Sequence, residues 1–232
     1  MVKLCYFRDW TTLKGRAKIV SSVLGEGSNV TLRLDRTVFY PQGGGQPSDQ
    51  GHMTCKDCSL HVKKVCFSSD DDVDHQCIID SGTVSVGDEV DMVVDEKLRL
   101  WHCRLHSAGH VVDGALAVLG INCLKPGKAY HFEDGPYVEY DGIVENMTRD
   151  ELAKSVEKAC KELIEKDLPV FIDFATQDEE DTKCLRSMRI ADLISIPCGG
   201  THVSRLGEIR DMGIRKVEVK KGKTRICYSV DK

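Results

Sequence analysis

Two separated pairs of residues carry the chemistry most open to this chain. His106 and His110 are spaced i, i+4 in His106-Ser-Ala-Gly-His110, and Cys198 and His202 have the same spacing in Cys198-Gly-Gly-Thr-His202. Two imidazoles from one element, with a thiolate and an imidazole from another, suit a tetrahedral zinc ion, which takes nitrogen and sulfur ligands. The first pair lies in a stretch that reads as helix, where residues i and i+4 project from one face. The second follows Pro197 in a Gly-Gly segment that reads as loop. Ligands drawn from a helix and a distant loop assemble an active site, whereas those of a zinc knuckle lie mostly close in sequence. A glycine inside a helix costs on the order of 1 kcal/mol relative to alanine, so Gly109 marks a close approach. Asp113 either accepts a hydrogen bond from the far nitrogen of a ligand histidine, fixing its tautomer, or faces solvent. His102, one turn before His106, is a neighbouring polar group or surface.

Other chemistries fit less well. A His-Glu-x-x-His protease needs a glutamate beside its first ligand, and Ser107 occupies that place. Phe39-Tyr-Pro-Gln-Gly43-Gly44-Gly45-Gln46-Pro-Ser-Asp49 is a glycine-rich loop closing an alternating strand. Its backbone amides can approach a ligand closely, or it simply turns the chain. No Gly-Lys-Ser/Thr follows, so it is not a P-loop. Cys55-Lys-Asp-Cys58, with His61 and Cys66 nearby, has the spacing of a second zinc site or is a set of strand cysteines.

The elements that must position these residues are legible in outline. Val30-Thr-Leu-Arg-Leu-Asp alternates as a half-buried strand does, and short apolar segments recur at Lys18–Val23, Leu60–Val65, Cys77–Ile79 and Glu89–Val94. Strands at this spacing predict a small β-barrel domain over residues 1–94. Residues 95–232 read as an α+β domain with two long helices and an antiparallel sheet. Its histidine helix covers roughly Leu100–Leu119, and a hairpin over Ala129–Tyr140 turns at Asp134-Gly135. A second helix opens at the Thr148-Arg-Asp-Glu151 capping box, and Leu152, Val156, Cys160, Leu163 and Ile164 form its apolar stripe. Strands follow at Val170–Ala175, Ser187–Ile190, Gly213–Val219 and Thr224–Val230.

With 41% hydrophobic and 30% charged residues, the composition is that of an ordinary soluble globular protein. No apolar run approaches the ~20 residues of a membrane span. The N-terminus breaks its apolar stretch with charge too early for a signal peptide, so a cytoplasmic location and eleven mostly reduced cysteines are expected. The net charge of −5 is uneven: Lys183 to Lys232 holds twelve Lys/Arg and five Asp/Glu, a balance of +7, leaving −12 elsewhere. The acidic loop at Asp70-Asp71-Asp72 contributes to the latter. The basic C-terminal third either holds a phosphate backbone or forms a solvated strand face.

Taken together, FYPQGGGQPSDQG, HSAGH and PCGGTHVSRLGEI resemble the editing module of alanyl-tRNA synthetase. At this length they resemble the free-standing AlaX proteins. The likeness runs from about Thr37 to Ile226, and PCGGTH is its most specific part. The histidine helix and CxxxH half are also similar to the editing domain of threonyl-tRNA synthetase, and the glycine-rich first domain favours the alanine branch. The resemblance implies a β-barrel joined to a two-layer α+β core. It implies hydrolysis of the ester of mischarged Ser-tRNA(Ala), often Gly-tRNA(Ala), with Ala-tRNA(Ala) spared. It makes His106, His110, Cys198 and His202 the catalytic centre and ligands of one Zn2+, and Gly43, Gly44, Gly45, Gln46 and Asp49 the loop flanking the pocket. Thr37, Ser107 and Thr201 are the candidates to read the seryl hydroxyl. The chain departs from the commoner HTAxHLL pattern, with Ser107 for the threonine and Val111-Val112 for the leucines. The implied partner is the acceptor end of tRNA, with no membrane, and the length implies editing of tRNA released elsewhere. The alternatives are a tRNA- or zinc-binding module of the same fold without hydrolysis, or an editor of another mischarged tRNA such as Ser-tRNA(Thr).

Overall fold

The computed structural model describes residues 2–70, 72–176 and 185–232. Asp71 of the acidic loop and Lys183 of the basic third lie outside the described residues. Two compact units are present. One comprises residues 2–43 and 47–100; the other comprises Gly44–Gln46, Trp101–Thr176 and 185–232.

In the first unit β1 (Lys3–Leu4) leads into the short α1 (Cys5–Arg8), followed by β2 (Lys14–Leu24), β3 (Asn29–Leu34) and β4 (Arg36–Thr37). Then come β5 (Gly51–Thr54), β6 (Ser59–Phe67), β7 (Val73–Ser81) and β8 (Glu89–Val94). A parallel pair joins β1 to β4, and the other six strands close a barrel in the order β2-β3-β7-β6-β5-β8. Closure removes the free edges that short strands would otherwise expose. The alternation read from Val30 onward is realised, with Val30, Leu32 and Leu34 of β3 pointing inward against Ile19, Met53, Leu60, Val62 and Met92.

Cys55 and Cys58 are bonded to each other across the β5–β6 turn, which removes the second-zinc alternative for this pair, while the other eight described cysteines are free. Cys58 packs into the barrel core, whereas His61 pairs across the strands with His52, their rings 4.8 Å apart.

The longest helix, α2 (Glu96–Val118), starts about one turn before the position read from the apolar pattern. Asp95 explains the difference: its Oδ1 accepts the Leu98 amide at 3.1 Å, so Asp95 supplies an N-cap oxygen ahead of a charged first turn with no apolar signal. After it come β9 (Lys125–Tyr130), β10 (Tyr137–Asp141), α3 (Arg149–Glu165), β11 (Val170–Phe174), β12 (Arg186–Ile190) and β13 (Ile194–Pro197). A 3-10 turn at Leu206–Ile209 precedes β14 (Met212–Lys220) and β15 (Lys223–Val230). The strands form an antiparallel sheet β14-β15-β10-β9 and a three-stranded one β11-β12-β13, which completes the α+β architecture. No described helix is long and apolar enough to cross a membrane.

The capping box is formed: Thr148 Oγ1 accepts the Glu151 amide at 3.2 Å, and Glu151 Oε2 accepts the Thr148 amide at 2.8 Å. The stripe Leu152, Val156, Cys160, Leu163 and Ile164 is buried, and α3 packs on β14. Thr148→Ala leaves the Glu151 amide without its partner. It should cost about 1 kcal/mol, read as a lower urea midpoint at unchanged slope.

Candidate metal centre

Within the second unit, α2 carries His106, Ser107, His110 and Asp113, and the chain leaving β13 delivers Cys198 and then His202. The loop is tied down at its start, where the Cys198 amide donates to Arg186 O at 3.0 Å and Arg186 Nη1 donates to Cys198 O at 2.6 Å. One ligand atom from each of His106, His110, Cys198 and His202 lies within 4.8 Å of all the others. Cys198 Sγ and His106 Nε2 are 3.4 Å apart. Zinc–nitrogen and zinc–sulfur bond lengths at a tetrahedral angle imply about 3.5 Å for such a pair. The three imidazoles are at least nine-tenths buried.

Each imidazole is held through its Nδ1. Gln46 Oε1 accepts from the Thr201 amide at 3.0 Å, which sets the orientation of the side-chain amide, because a backbone N–H can only donate. Gln46 Nε2 in turn donates to Thr201 Oγ1 at 2.8 Å. The same Oε1 lies 2.7 Å from His106 Nδ1, so that nitrogen carries the proton and Nε2 keeps its lone pair. His110 Nδ1 donates to Asp113 Oδ2 at 3.0 Å, and Tyr140 donates to Asp113 Oδ1 at 2.6 Å. Asp113 therefore orients a candidate ligand and does not face solvent. His202 Nδ1 lies 3.5 Å from Ser107 Oγ, which accepts the Val203 amide at 3.1 Å. The Nε2 atoms of His110 and His202 are buried without a hydrogen-bond partner. Buried polar atoms are rarely left so, and a cation bound by both would supply what they lack. The donor set fits a zinc ion.

The electrostatics agree. Burial raises the Cys198 thiol, but the neighbouring His106 and His202 outweigh it and hold its pKa well below the usual thiol value. Burial alone would depress His110, yet the bond to Asp113 and the negative charge of Cys198 nearby carry it up to about 10. Burial pushes His202 down to about 3. Without metal the set thus places a thiolate beside the His110 imidazolium. A cation taking His110 Nε2 must displace a proton, so metal affinity should rise with pH, by about tenfold per unit while His110 stays protonated. Zinc titrations in buffers of different ionisation enthalpy should count about one proton released; a count of zero would contradict this.

The remaining sequence-derived residues divide between the units. In the first, Thr37 is fully buried and its hydroxyl contacts His75 Nε2 at 2.8 Å, while Asp49 is buried against Arg99 and accepts the Tyr40 amide at 2.6 Å. Gly43 O accepts from Tyr40 Oη at 2.9 Å. In the second, Gly45 has φ +79°, and a Cβ there would meet Ala129 O at 2.4 Å. His102 is buried.

His131 has no signal of its own in the sequence pattern. Its ring stacks on His106 with centroids 4.4 Å apart, and burial together with the neighbouring imidazoles pushes its pKa well down. It is the close approach that Gly109 implied, since a Cβ at 109 would lie 2.5 Å from His131 Cε1.

Fold and site together define an α+β protein with a closed barrel and a set of three buried histidines and one half-buried cysteine able to hold a metal ion. Residues 9–98 match the family described as tRNA synthetases class II (A). Over 249 residues the chain is 29% identical to the alanine–tRNA ligase of Methanobrevibacter smithii, covering 97% of this chain and 26% of the ligase. It is 31% identical over 212 residues to that of Carboxydothermus hydrogenoformans, covering 85% of this chain and 24% of the ligase. With the alanyl-tRNA editing protein AlaX-L of Pyrococcus horikoshii it shares 29% identity over 235 residues, 94% of this chain and 54% of that protein. These likenesses support an AlaX-like alanyl-tRNA editing domain family. It spans about a quarter of the length of these ligases and about half that of AlaX-L.

Proposed function

We propose that this chain is a cytoplasmic trans-editing aminoacyl-tRNA hydrolase. In this reading it deacylates mischarged Ser-tRNA(Ala) while sparing Ala-tRNA(Ala). The observation that carries the proposal is the cluster of His106, His110, Cys198 and His202, its histidines buried and two of their Nε2 atoms orphaned, in a chain similar to alanyl-tRNA editing proteins. These four residues would hold the zinc. Bound zinc would lower the pKa of a water toward ~7 or polarise the ester carbonyl.

The chain's own residues supply the rest. Gln46 holds His106 through Nδ1, and Asp113 does the same for His110, so both turn Nε2 toward the cluster. The segment Gly44–Gln46, which belongs to the same unit as the four residues, would flank the aminoacyl end through backbone amides. Lys220 and Lys221 at the tip of the β14–β15 hairpin would contribute salt-sensitive attraction to the acceptor phosphates. Serine exceeds alanine by one hydroxyl, so steric exclusion cannot reject alanine. Selectivity must come from a polar group satisfied only by serine, for which Ser107 and Thr201 are the hydroxyl candidates within the unit that holds the four residues.

The test is hydrolysis of Ser-, Gly- and Ala-tRNA(Ala) by the purified chain. Fast loss of serine with alanine retained is the expected result. Equal loss of serine and alanine would overturn the selectivity argument, and loss of neither would overturn the hydrolase assignment in favour of a binding module or another substrate.

A further inference from the structure

We infer that His131 is a further substrate-contacting residue of this centre, its Nε2 accepting a hydrogen bond from a donor on the aminoacyl group. The inference rests on the deacylase reading above.

Tyr228 fixes which nitrogen of His131 is the acceptor. Its hydroxyl lies 2.9 Å from Leu105 O, a carbonyl that can only accept, so the phenol proton points there. The phenol oxygen is then the acceptor for His131 Nδ1–H at 2.6 Å. The lone pair is left on Nε2, for which no partner occurs among the described residues.

The direction of that lone pair follows from two glycines. The Cε1 edge of the ring abuts Gly109, where a Cβ would come within 2.5 Å, and the Cδ2 atom lies 3.3 Å from the Cβ position of Gly45. Nε2 is bonded to both of these carbons, so it lies between two residues that lack side chains, on a ring that is itself buried. The His131 amide donates to Gly45 O at 2.8 Å, which ties the ring to the glycine loop. Stacking on His106 places the acceptor beside the proposed hydrolytic centre. The other polar side chains there are engaged with one another: Gln46 with His106 and Thr201, Ser107 with Val203 and His202, and Asp113 with His110 and Tyr140. A seryl ester offers two donors to an unengaged acceptor, the α-ammonium and the side-chain hydroxyl.

The test measures binding of three amide-linked analogues of 3′-amino-3′-deoxyadenosine, carrying seryl, alanyl or 3-hydroxypropionyl groups, to zinc-loaded wild type and His131→Phe. A contact to the ammonium weakens the seryl and alanyl analogues about tenfold and spares the hydroxypropionyl one. A contact to the hydroxyl weakens the seryl and hydroxypropionyl analogues by as much and spares the alanyl one. Unchanged affinities, or equal losses for all three, overturn the inference. Zinc content measured alongside separates loss of contact from loss of the metal set. Tyr228→Phe gives a second readout that leaves the imidazole in place. Releasing Nδ1–H from its acceptor should reproduce the same pattern at smaller amplitude, and its absence also overturns the inference. A wild-type protein that binds none of the three overturns the deacylase reading together with this inference. Wild-type binding undiminished in His131→Phe overturns the inference alone.

Discussion

Cys198→Ala is expected to abolish zinc retention and to slow deacylation of Ser-tRNA(Ala) by at least about a thousandfold. Cys198 is the sole anionic donor of the four, and its thiolate form is favoured by His106 and His202. Without it, a dication would be left with neutral imidazoles in a buried place, where an uncompensated charge is costly. The same substitution removes one of the interactions that raise His110, so the metal-free set loses its internal ion pair as well. Metal content after gel filtration and single-turnover deacylation are the measurements. Wild-type turnover in a Cys198→Ala protein devoid of zinc would sink the metal-hydrolase reading.

Gly200→Ala should be nearly as damaging although it adds a single methyl group. A Cβ at this position would lie 2.1 Å from His106 Cε1 and 2.3 Å from its Nδ1, with Gln46 Oε1 at 2.9 Å. The imidazole cannot yield by that much without breaking its bond to Gln46, and Gln46 is itself held by the Thr201 amide two bonds along the same loop. Losing the group that orients a metal ligand typically costs 10–100-fold in affinity or activity, and displacing the ligand itself should exceed about a hundredfold. Gly199→Ala is the matched control, because a Cβ there meets nothing within 4 Å. Zinc affinity of the two variants, measured by competition with a chromophoric chelator, should differ by at least about a hundredfold. Equal affinities would show that the loop moves freely and that His106 is not locked by it.

The local regularities of the chain were legible before its structure. The i, i+4 spacing of His106 and His110 places both on one face of a helix, and Thr148 with Glu151 marks a helix start by a reciprocal pair of bonds three residues apart. Alternation in Val30, Leu32 and Leu34 identified a strand and its buried side. Where the reading fell short, no local signal existed. The start of α2 is set by the Asp95 side chain and not by an apolar stripe, and Cys55 and Cys58 have a spacing that serves a metal pair and a disulfide equally well.

What the sequence by itself determined is the four-residue donor set and the kinds of element that carry it, since both follow from residue type and short-range periodicity. Only the tertiary structure decided which atoms face inward. Gln46 orients His106 from 60 residues away, Tyr140 closes on Asp113 from 27, and Tyr228 fixes the tautomer of His131 from 97. Spacing along the chain dictates which side chains share a face. A proton's position on an imidazole depends instead on the acceptor that packing brings to it, and that acceptor comes from another element.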